Sequence, residues 1–433
     1  MMLQGWGRYP KVDATIARPS SQHEVAAELS QTEGQIAFGL GRSYGDSGLA
    51  ARVIQTRGLD RFLNFDEDSG VLTCEAGVSL DEILRVFVPR GWFLPVTPGT
   101  RFVTVGGAIA SDVHGKNHHK DGTFCRHVLR MELLLGNGER VESSPSENPD
   151  LFHATCGGMG LTGIILNASF RLIPIRSSLI RETIIKAPNL EAALEGFSAQ
   201  AGVTYSVAWI DCLARGKNLG RSLLMLGEHA GEGPLRMRAG QALPVPFEMP
   251  AALLNHATVK LFNAAYYGKA RRGAHARLTP FEPFFHPLDI LTKWNRMYGR
   301  PGFLQYQFVL PMAAGPAGLR EVLERIAASG RGSFLAVLKV FGPANENMLS
   351  FSMEGYTLAL DFKVEPAVFR LLDELDAVVS HHGGRLYLTK DARMSAAMFR
   401  SGYPRWEEFQ QVRVKYHALG RFASLQSKRL ELD

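Results

Sequence analysis

Twenty of the chain's 44 glycines fall between Gly34 and Gly163 in a sequence of 433 residues. No Gly-X-Y period runs through them, so a collagen-like triple helix is excluded. Such a local excess means that many backbone positions there need positive φ, or lie against another backbone or a ligand. The glycines gather in three runs. The first is Gly39-Leu40-Gly41-Arg42-Ser43-Tyr44-Gly45-Asp46-Ser47-Gly48. The second starts at Pro98-Gly99-Thr100-Arg101, continues through Thr104-Val105-Gly106-Gly107-Ala108-Ile109-Ala110, and reaches His114-Gly115-Lys116-Asn117-His118-His119. The third is Gly157-Gly158-Met159-Gly160-Leu161-Thr162-Gly163.

Local pattern gives each run a different job. The first follows a predicted strand over 35–39, and successive backbone N–H groups in such a turn make a nest for a pyrophosphate. In the second, the small residues at 106–110 let backbone lie against a flat ring, and the polar run after them lines the same cavity. The third matches G-x-G-x-x-G over 158–163. A dinucleotide fingerprint must open a helix, whereas these glycines open an alternating strand over 164–173. A nicotinamide-binding Rossmann site is therefore rejected.

Further elements in this half are a capped helix over 21–29, a strand over 71–75 and a helix over 79–88. A hairpin follows, over 127–135 and 139–142, around Asn137-Gly138. After Pro174 glycine thins. Strands are predicted over 205–210, 222–226, 303–310, 334–340 and 357–362, with amphipathic helices over 316–328 and 366–381. This reads as α+β with a mostly antiparallel sheet. Residues 228–280 read as an irregular, mobile or partly disordered stretch with one helical pattern over 251–265. A last strand over 385–390 runs into a helix starting near Asp391, and a further helix spans 406–419.

The formal charge is +6. Lys260, Lys269, Arg271, Arg272, Arg277, Lys293, Arg296 and Arg300 stand against Glu282 and Asp289 alone, so this one segment carries the whole excess. Such a field attracts phosphate or acidic lipid. Interleaved aromatic and basic motifs of RNA-binding type are absent, and nucleic acid is not an expected partner. Cys74, Cys125, Cys156 and Cys212 show no metal-ligand spacing. His114, His118 and His119 lack a carboxylate at ligand spacing, so no metal is expected. No apolar run suits a membrane span, and the first residues lack a signal-peptide core. The expected location is cytoplasmic or peripherally membrane-associated.

Together the three runs resemble the FAD-binding domain of the vanillyl-alcohol-oxidase superfamily, the PCMH-type domain. GLGRSYGD, PGT…TVGGAIA…HGKN and GG-x-G-x-x-G-I before a strand carry the match over most of residues 5–175. Within that superfamily, Gly5-Trp6-Gly7-Arg8, FHPLDILTKWNRMYGRPGFLQYQFVLP and GGRLYLTKDAR are similar to the decaprenylphosphoryl-β-D-ribose 2-oxidases. The resemblance implies a two-subdomain FAD-binding domain over 1–175, an inserted substrate domain over 176–383, and a return to the FAD-binding domain over 384–433. Many relatives link the flavin to a histidine in the first turn; Arg42 stands there, so FAD is expected to be non-covalent. Cofactor-lining positions are implied at Gly41, Arg42, Ser43, Tyr44, Gly45, Pro98, Gly99, Thr100, Thr104, Gly106, Gly107, His114, Gly115, Lys116, Asn117, Gly158, Gly163, Ile164 and Lys390.

The implied substrate-binding positions are Trp209, Gln305, Gln307, Lys339 and Asp361. Independently of any family, alternation puts Gln305 and Gln307 on one face of a strand. Lys390, with His114 or Tyr387, is the implied catalytic group. It either takes the hydroxyl proton, which requires a lowered pKa, or stays charged and stabilises the alkoxide. The implied reaction is oxidation of the 2-hydroxyl of a polyprenylphosphoryl-β-D-ribose to the 2-keto sugar. A partner short-chain reductase would then complete epimerisation to an arabinose donor for the cell envelope. The rival reading is a flavin oxidase of a soluble sugar, alditol or aldonolactone.

Overall fold

The computed structural model describes residues 1–237, 243–250, 254–270 and 273–433. Three parallel strands, Thr15–Ala17, Ile36–Phe38 and Arg52–Gln55, form a small sheet with Arg52–Gln55 central. Helix Gln22–Gln31 joins the outer two, as parallel strands require a crossover. Its Ser21 cap accepts from the Glu24 amide, but Glu24 reaches back to the Ser20 amide rather than to Ser21. Helix Leu80–Phe87 closes a full capping box between Ser79 and Glu82 and buries Leu80, Ile83, Leu84 and Phe87.

A second, five-stranded sheet is antiparallel, in the order Arg140–Ser143, Val128–Leu134, Ile164–Arg171, Val71–Glu75, Phe62–Asp66. The hairpin turn at Asn137-Gly138 forms, with Gly138 at φ 88°. Ile164–Arg171 is central rather than half-wet as its alternation suggested. Its polar positions are satisfied across the sheet, Ser169 by Thr73 and Asn167 by Glu132.

The third sheet has eight strands, all antiparallel. Its order is Ala274–Pro280, Leu179–Ala187, Ser222–His229, Tyr205–Ile210, Ala336–Phe341, Gly355–Lys363, Phe303–Pro311, Arg385–Leu386. Helices Leu190–Ala199, Gly315–Ser329 and Pro366–His381 cover one face. Tyr306, pointing to that face, donates to Asp376 on the last of them. Alternate residues face the other way, toward the glycine clusters.

The described residues of 228–280 correct the expectation of an irregular stretch. Helix His256–Lys269 and edge strand Ala274–Pro280 are regular, and Leu243–Pro244 pairs with Leu291–Thr292. The strand escaped detection because residues 274–278 are all exposed, so no apolar alternation marks them. Arg271, Arg272 and part of the 251–265 pattern lie outside the described residues. Strand Leu179–Ala187 and helix Leu190–Ala199 carry no expectation at all.

The C-terminal segment departs in detail. The last strand is only Arg385–Leu386, because the Lys390 and Asp391 amides both donate to the Tyr387 carbonyl and close a turn. The next helix is Ala396–Gly402, and Trp406–Lys415 ends before Leu419 where the Ala418 and Leu419 amides turn back on the Arg413 carbonyl. Phe422 then pairs with Gln35 beside the small parallel sheet. The fully buried Arg413 donates to the carbonyls of Leu161 and Phe422 and to Asp433. The end of the chain thereby grips the third glycine loop from behind.

Candidate active site

A cavity of about 470 Å³ lies where the open face of the eight-stranded sheet meets the glycine clusters. The first cluster forms one wall. Gly41 sits at φ 63°, which flips the peptide as a nest requires. The amides of Gly41, Arg42 and Ser43 find no acceptor among the described residues, while that of Tyr44 donates to the Thr389 carbonyl. The Arg42 guanidinium lies 4.0 Å over the Trp6 ring. Unpaired N–H groups are costly unless something accepts from them, so this turn suits an anionic oxygen.

Gly45 serves another purpose. A Cβ there would lie 1.6 Å from the Asp391 carbonyl oxygen. Its φ is not positive; the glycine exists because the returning chain touches it. Arg429 fastens the same contact, donating to Asp46 and Asp391 at 2.8 Å each.

The second cluster forms the adjoining wall. Residues Val105–Ala110 form a short helix. Thr104 caps it, accepting from the Gly107 amide, and a Cβ on Gly106 would lie 3.1 Å from that of Ala76. The Pro98–Arg101 loop is held from the other half of the chain. Asp289 accepts from the Thr100 hydroxyl at 2.7 Å and from the Arg101 amide at 2.9 Å. Thr97 meets His286 at 3.3 Å. In the sequence Asp289 stands out only as a charge and as part of FHPLDILTKW, and no local signal marks a contact across that separation.

Five expected site positions lie behind the wall. Asn117 is buried and donates to the Pro95 carbonyl and Asp121. Gly115 is glycine because a Cβ would strike the Asn117 side chain at 2.6 Å. A Cβ on Gly158 would meet the Ala154 carbonyl at 2.1 Å. Ile164 belongs to a core cluster with Val25 and Leu29. Asp361 backs a lining residue. The other named positions, from Gly41 to Lys390, line the cavity, Gly163 and Trp209 among them.

At the cavity's polar end the side chains converge. Gln307 Nε2 lies 3.1 Å from His114 Nε2 and also reaches Thr357. His114 Nδ1 is buried and has no hydrogen-bond partner among the described residues. Burial, then Lys339, His118 and Lys390, hold this imidazole well below its usual pKa, so it is neutral. Lys390 Nζ lies 3.8 Å over the Tyr44 ring. Burial pushes its pKa down to about 7; Asp361 opposes that shift and Lys339 adds to it. Gln305 donates to Asp361 at 2.6 Å, and burial lifts that carboxyl to about 7.

Lys339 and Lys116 are lowered by burial to about 8 and about 7. Tyr387 is committed elsewhere. Its hydroxyl donates to the Ser111 carbonyl at 2.8 Å and its ring stacks on Phe351. His118 and His119 are tied to the Gly342 amide and the Val203 carbonyl.

An unpaired amide nest, a wall of small residues and an orphaned imidazole nitrogen on one cavity fit a flavin dinucleotide. Residues 14–144 match the FAD binding domain family. The chain is 37% identical to decaprenylphosphoryl-β-D-ribose oxidase of Mycolicibacterium smegmatis, over 99% of this chain and 97% of that protein. It is 31% identical to an uncharacterized protein of the mprA 5′ region of Streptomyces coelicolor, over 82% of this chain and all of that one. Mouse Δ(24)-sterol reductase is 32% identical over only 32% of this chain. Likeness that spans both the cofactor wall and the sheet face opposite it places this FAD-dependent oxidoreductase, which acts on a CH–OH group, in the decaprenylphosphoryl-β-D-ribose oxidase family.

Proposed function

We propose that the protein oxidises the 2-hydroxyl of a polyprenylphosphoryl-β-D-ribose to the 2-keto sugar. The observation that carries this is the convergence of Lys390, His114, Gln307 and Lys339 on the cofactor cavity. FAD, bound there, supplies the hydride acceptor. Lys390 takes the hydroxyl proton, since at about 7 its pKa suits a base near neutral pH. Gln307 and neutral His114 orient the sugar hydroxyls. Lys339, which keeps its charge up to about pH 8, supplies positive charge for the substrate phosphate. Tyr387 holds the wall and does not carry the proton. Borodeuteride reduction of the product tests the position: deuterium at C2 supports the reading, and deuterium elsewhere removes it. The 2-keto sugar then needs a separate reductase to become the arabinose epimer; incubation with a nicotinamide-dependent short-chain reductase should yield it.

The pH dependence follows from the lysines. Lys390 becomes a base as pH rises through about 7, and Lys339 loses its charge above about 8. The profile of kcat/KM should therefore rise and then fall, with a maximum between these values. A flat profile from pH 6 to 9 would contradict both roles.

FAD is held non-covalently, because Arg42 stands in the first turn where many relatives carry the linking histidine; acid precipitation should leave all the flavin in solution. On this reading residues 1–175 and 384–433 form the cofactor domain and 176–383 the substrate domain. Asp289 then latches the second domain to the cofactor loop. Hydrogen bonds to charged groups are worth about 1.5–3 kcal/mol each, so Asp289→Ala should raise the FAD dissociation constant at least about tenfold. Flavin fluorescence on dilution reads this, and an unchanged constant would show that the latch is idle.

A lipid-linked substrate also asks for contact with a membrane surface. Among the described residues no helix is long and apolar enough to cross one. Phe247, Leu261, Phe262, Leu278 and Ile290 are exposed, in a region that also carries Lys260, Lys269, Arg277 and Lys293. Apolar side chains with basic neighbours suit an anionic surface. Flotation with vesicles containing phosphatidylglycerol should show binding that salt removes; no binding at low salt would contradict it.

A further inference from the structure

The sheet floor of the cavity changes character along its width. Register puts Gln305, Gln307, Thr357, Ala359 and Lys339 at one end. From there the inward-facing row runs from Val337 to Trp209 and Val207 on the next strand, then to Met225 and Ile184 on the two strands after it. The far end is Glu182, buried and bound to Arg277 at 2.6 Å on the exposed edge strand. Tyr266, whose ring lies 4.8 Å from Trp209, stands over this row with Pro283 and Phe284. Ile184, Met225 and Val337 are only half-buried, although they sit mid-sheet, where apolar side chains are ordinarily covered.

The geometry points to an occupant: the first isoprene units of the substrate's lipid tail lie in this apolar trough, between the phosphate and the membrane. This inference rests on the polyprenylphosphoryl-ribose reading. Continuity with the reaction end supports it. Lys339 stands where polar floor gives way to apolar floor, and would hold the phosphate there. Beyond it, four strand steps of roughly 4.8 Å each lead to the edge strand. Leu278 is exposed on that edge and Leu261 and Phe262 on helix His256–Lys269, the same apolar surface proposed to meet the membrane. The Glu182–Arg277 pair keeps the mouth polar, so the trough does not invite unrelated apolar solutes.

The test compares two substrates that share the phosphoryl ribose: one with a geranylgeranyl tail and one with a methyl group. The wild-type enzyme should prefer the prenylated substrate in kcat/KM. Met225→Gln and Ile184→Asn keep side-chain length but make the floor polar. Each should reduce that preference roughly tenfold, about what one or two lost buried methylenes cause. The change should appear in KM for the prenylated substrate rather than in kcat. Flavin content and circular dichroism establish that each variant is folded; if both fail these checks, Met225→Ala and Ile184→Val at reduced size replace them. A preference that stays at the wild-type value in folded variants overturns the trough. If neither ribosyl substrate bleaches the flavin of the wild-type enzyme, the functional reading itself has failed, a different outcome from loss of the trough alone.

Discussion

Lys390→Ala should slow reduction of the bound flavin by substrate roughly 10²- to 10⁴-fold, the usual span for loss of a positioned acid–base group. The protein should still purify yellow, because the amide nest and the glycine walls do not depend on this ammonium. The argument rests on placement. Lys390 is held by a closed turn, with its own amide on the Tyr387 carbonyl. Its ammonium lies over the Tyr44 ring and shares the cavity with His114 and Gln307. Asp361 sits near enough to favour the charged form, yet burial outweighs it. Lys390→Arg separates the two roles open to this residue. Arginine keeps the charge but cannot give up its proton, so it should remain nearly as slow as alanine if Lys390 is the base. Stopped-flow reduction under anaerobic conditions reads both variants. A Lys390→Ala enzyme that binds FAD and is reduced at the wild-type rate would end the assignment.

Gly45→Ala should be the most damaging single methyl in the chain's first turn. Its Cβ would lie 1.6 Å from the Asp391 carbonyl oxygen, a backbone atom that cannot swing aside. The Tyr44 amide bond to Thr389 and the Arg429 bonds to Asp46 and Asp391 clamp both strands of the contact. Overpacking of a tight contact costs about 1–3 kcal/mol and occasionally more; here the upper end is expected, because the alternative is to unseat Lys390. The variant should show a much lower thermal midpoint and lose flavin. Gly202→Ala is the control. A Cβ there meets nothing within 4 Å, and its φ is not positive, so its stability should change by less than about 1 kcal/mol. If Gly45→Ala melts like Gly202→Ala, the clamp does not exist in solution.

These two residues also show what could be read from the sequence. The cavity walls were legible because their chemistry is local: a turn after a strand, a run of small residues, a histidine and lysine that follow. The paired glutamines of strand Phe303–Pro311 were legible because alternation is a local rule. The close backbone approaches at Gly45 and Gly158 were not legible, since a glycine kept for such an approach looks the same in sequence as one kept for a ligand. Arg429, which reaches Asp46 across 383 positions, and Asp289, which reaches the Pro98–Arg101 loop across nearly 190, were invisible. So was strand Ala274–Pro280, which lies at an exposed edge and needs no apolar face. The apolar row from Val337 to Ile184 was equally hidden. It comes from four strands scattered along the chain, and only their order in the sheet makes it continuous.

The central claim is that the cavity joins FAD to a lipid-linked ribose whose hydroxyl Lys390 deprotonates. Anaerobic mixing of the purified protein with a polyprenylphosphoryl-β-D-ribose tests it most directly, by the absorbance of the bound flavin. The account predicts rapid, complete bleaching with this substrate and none with free ribose, alditols or aldonolactones. Bleaching by a soluble sugar but not by the lipid-linked ribose would contradict it.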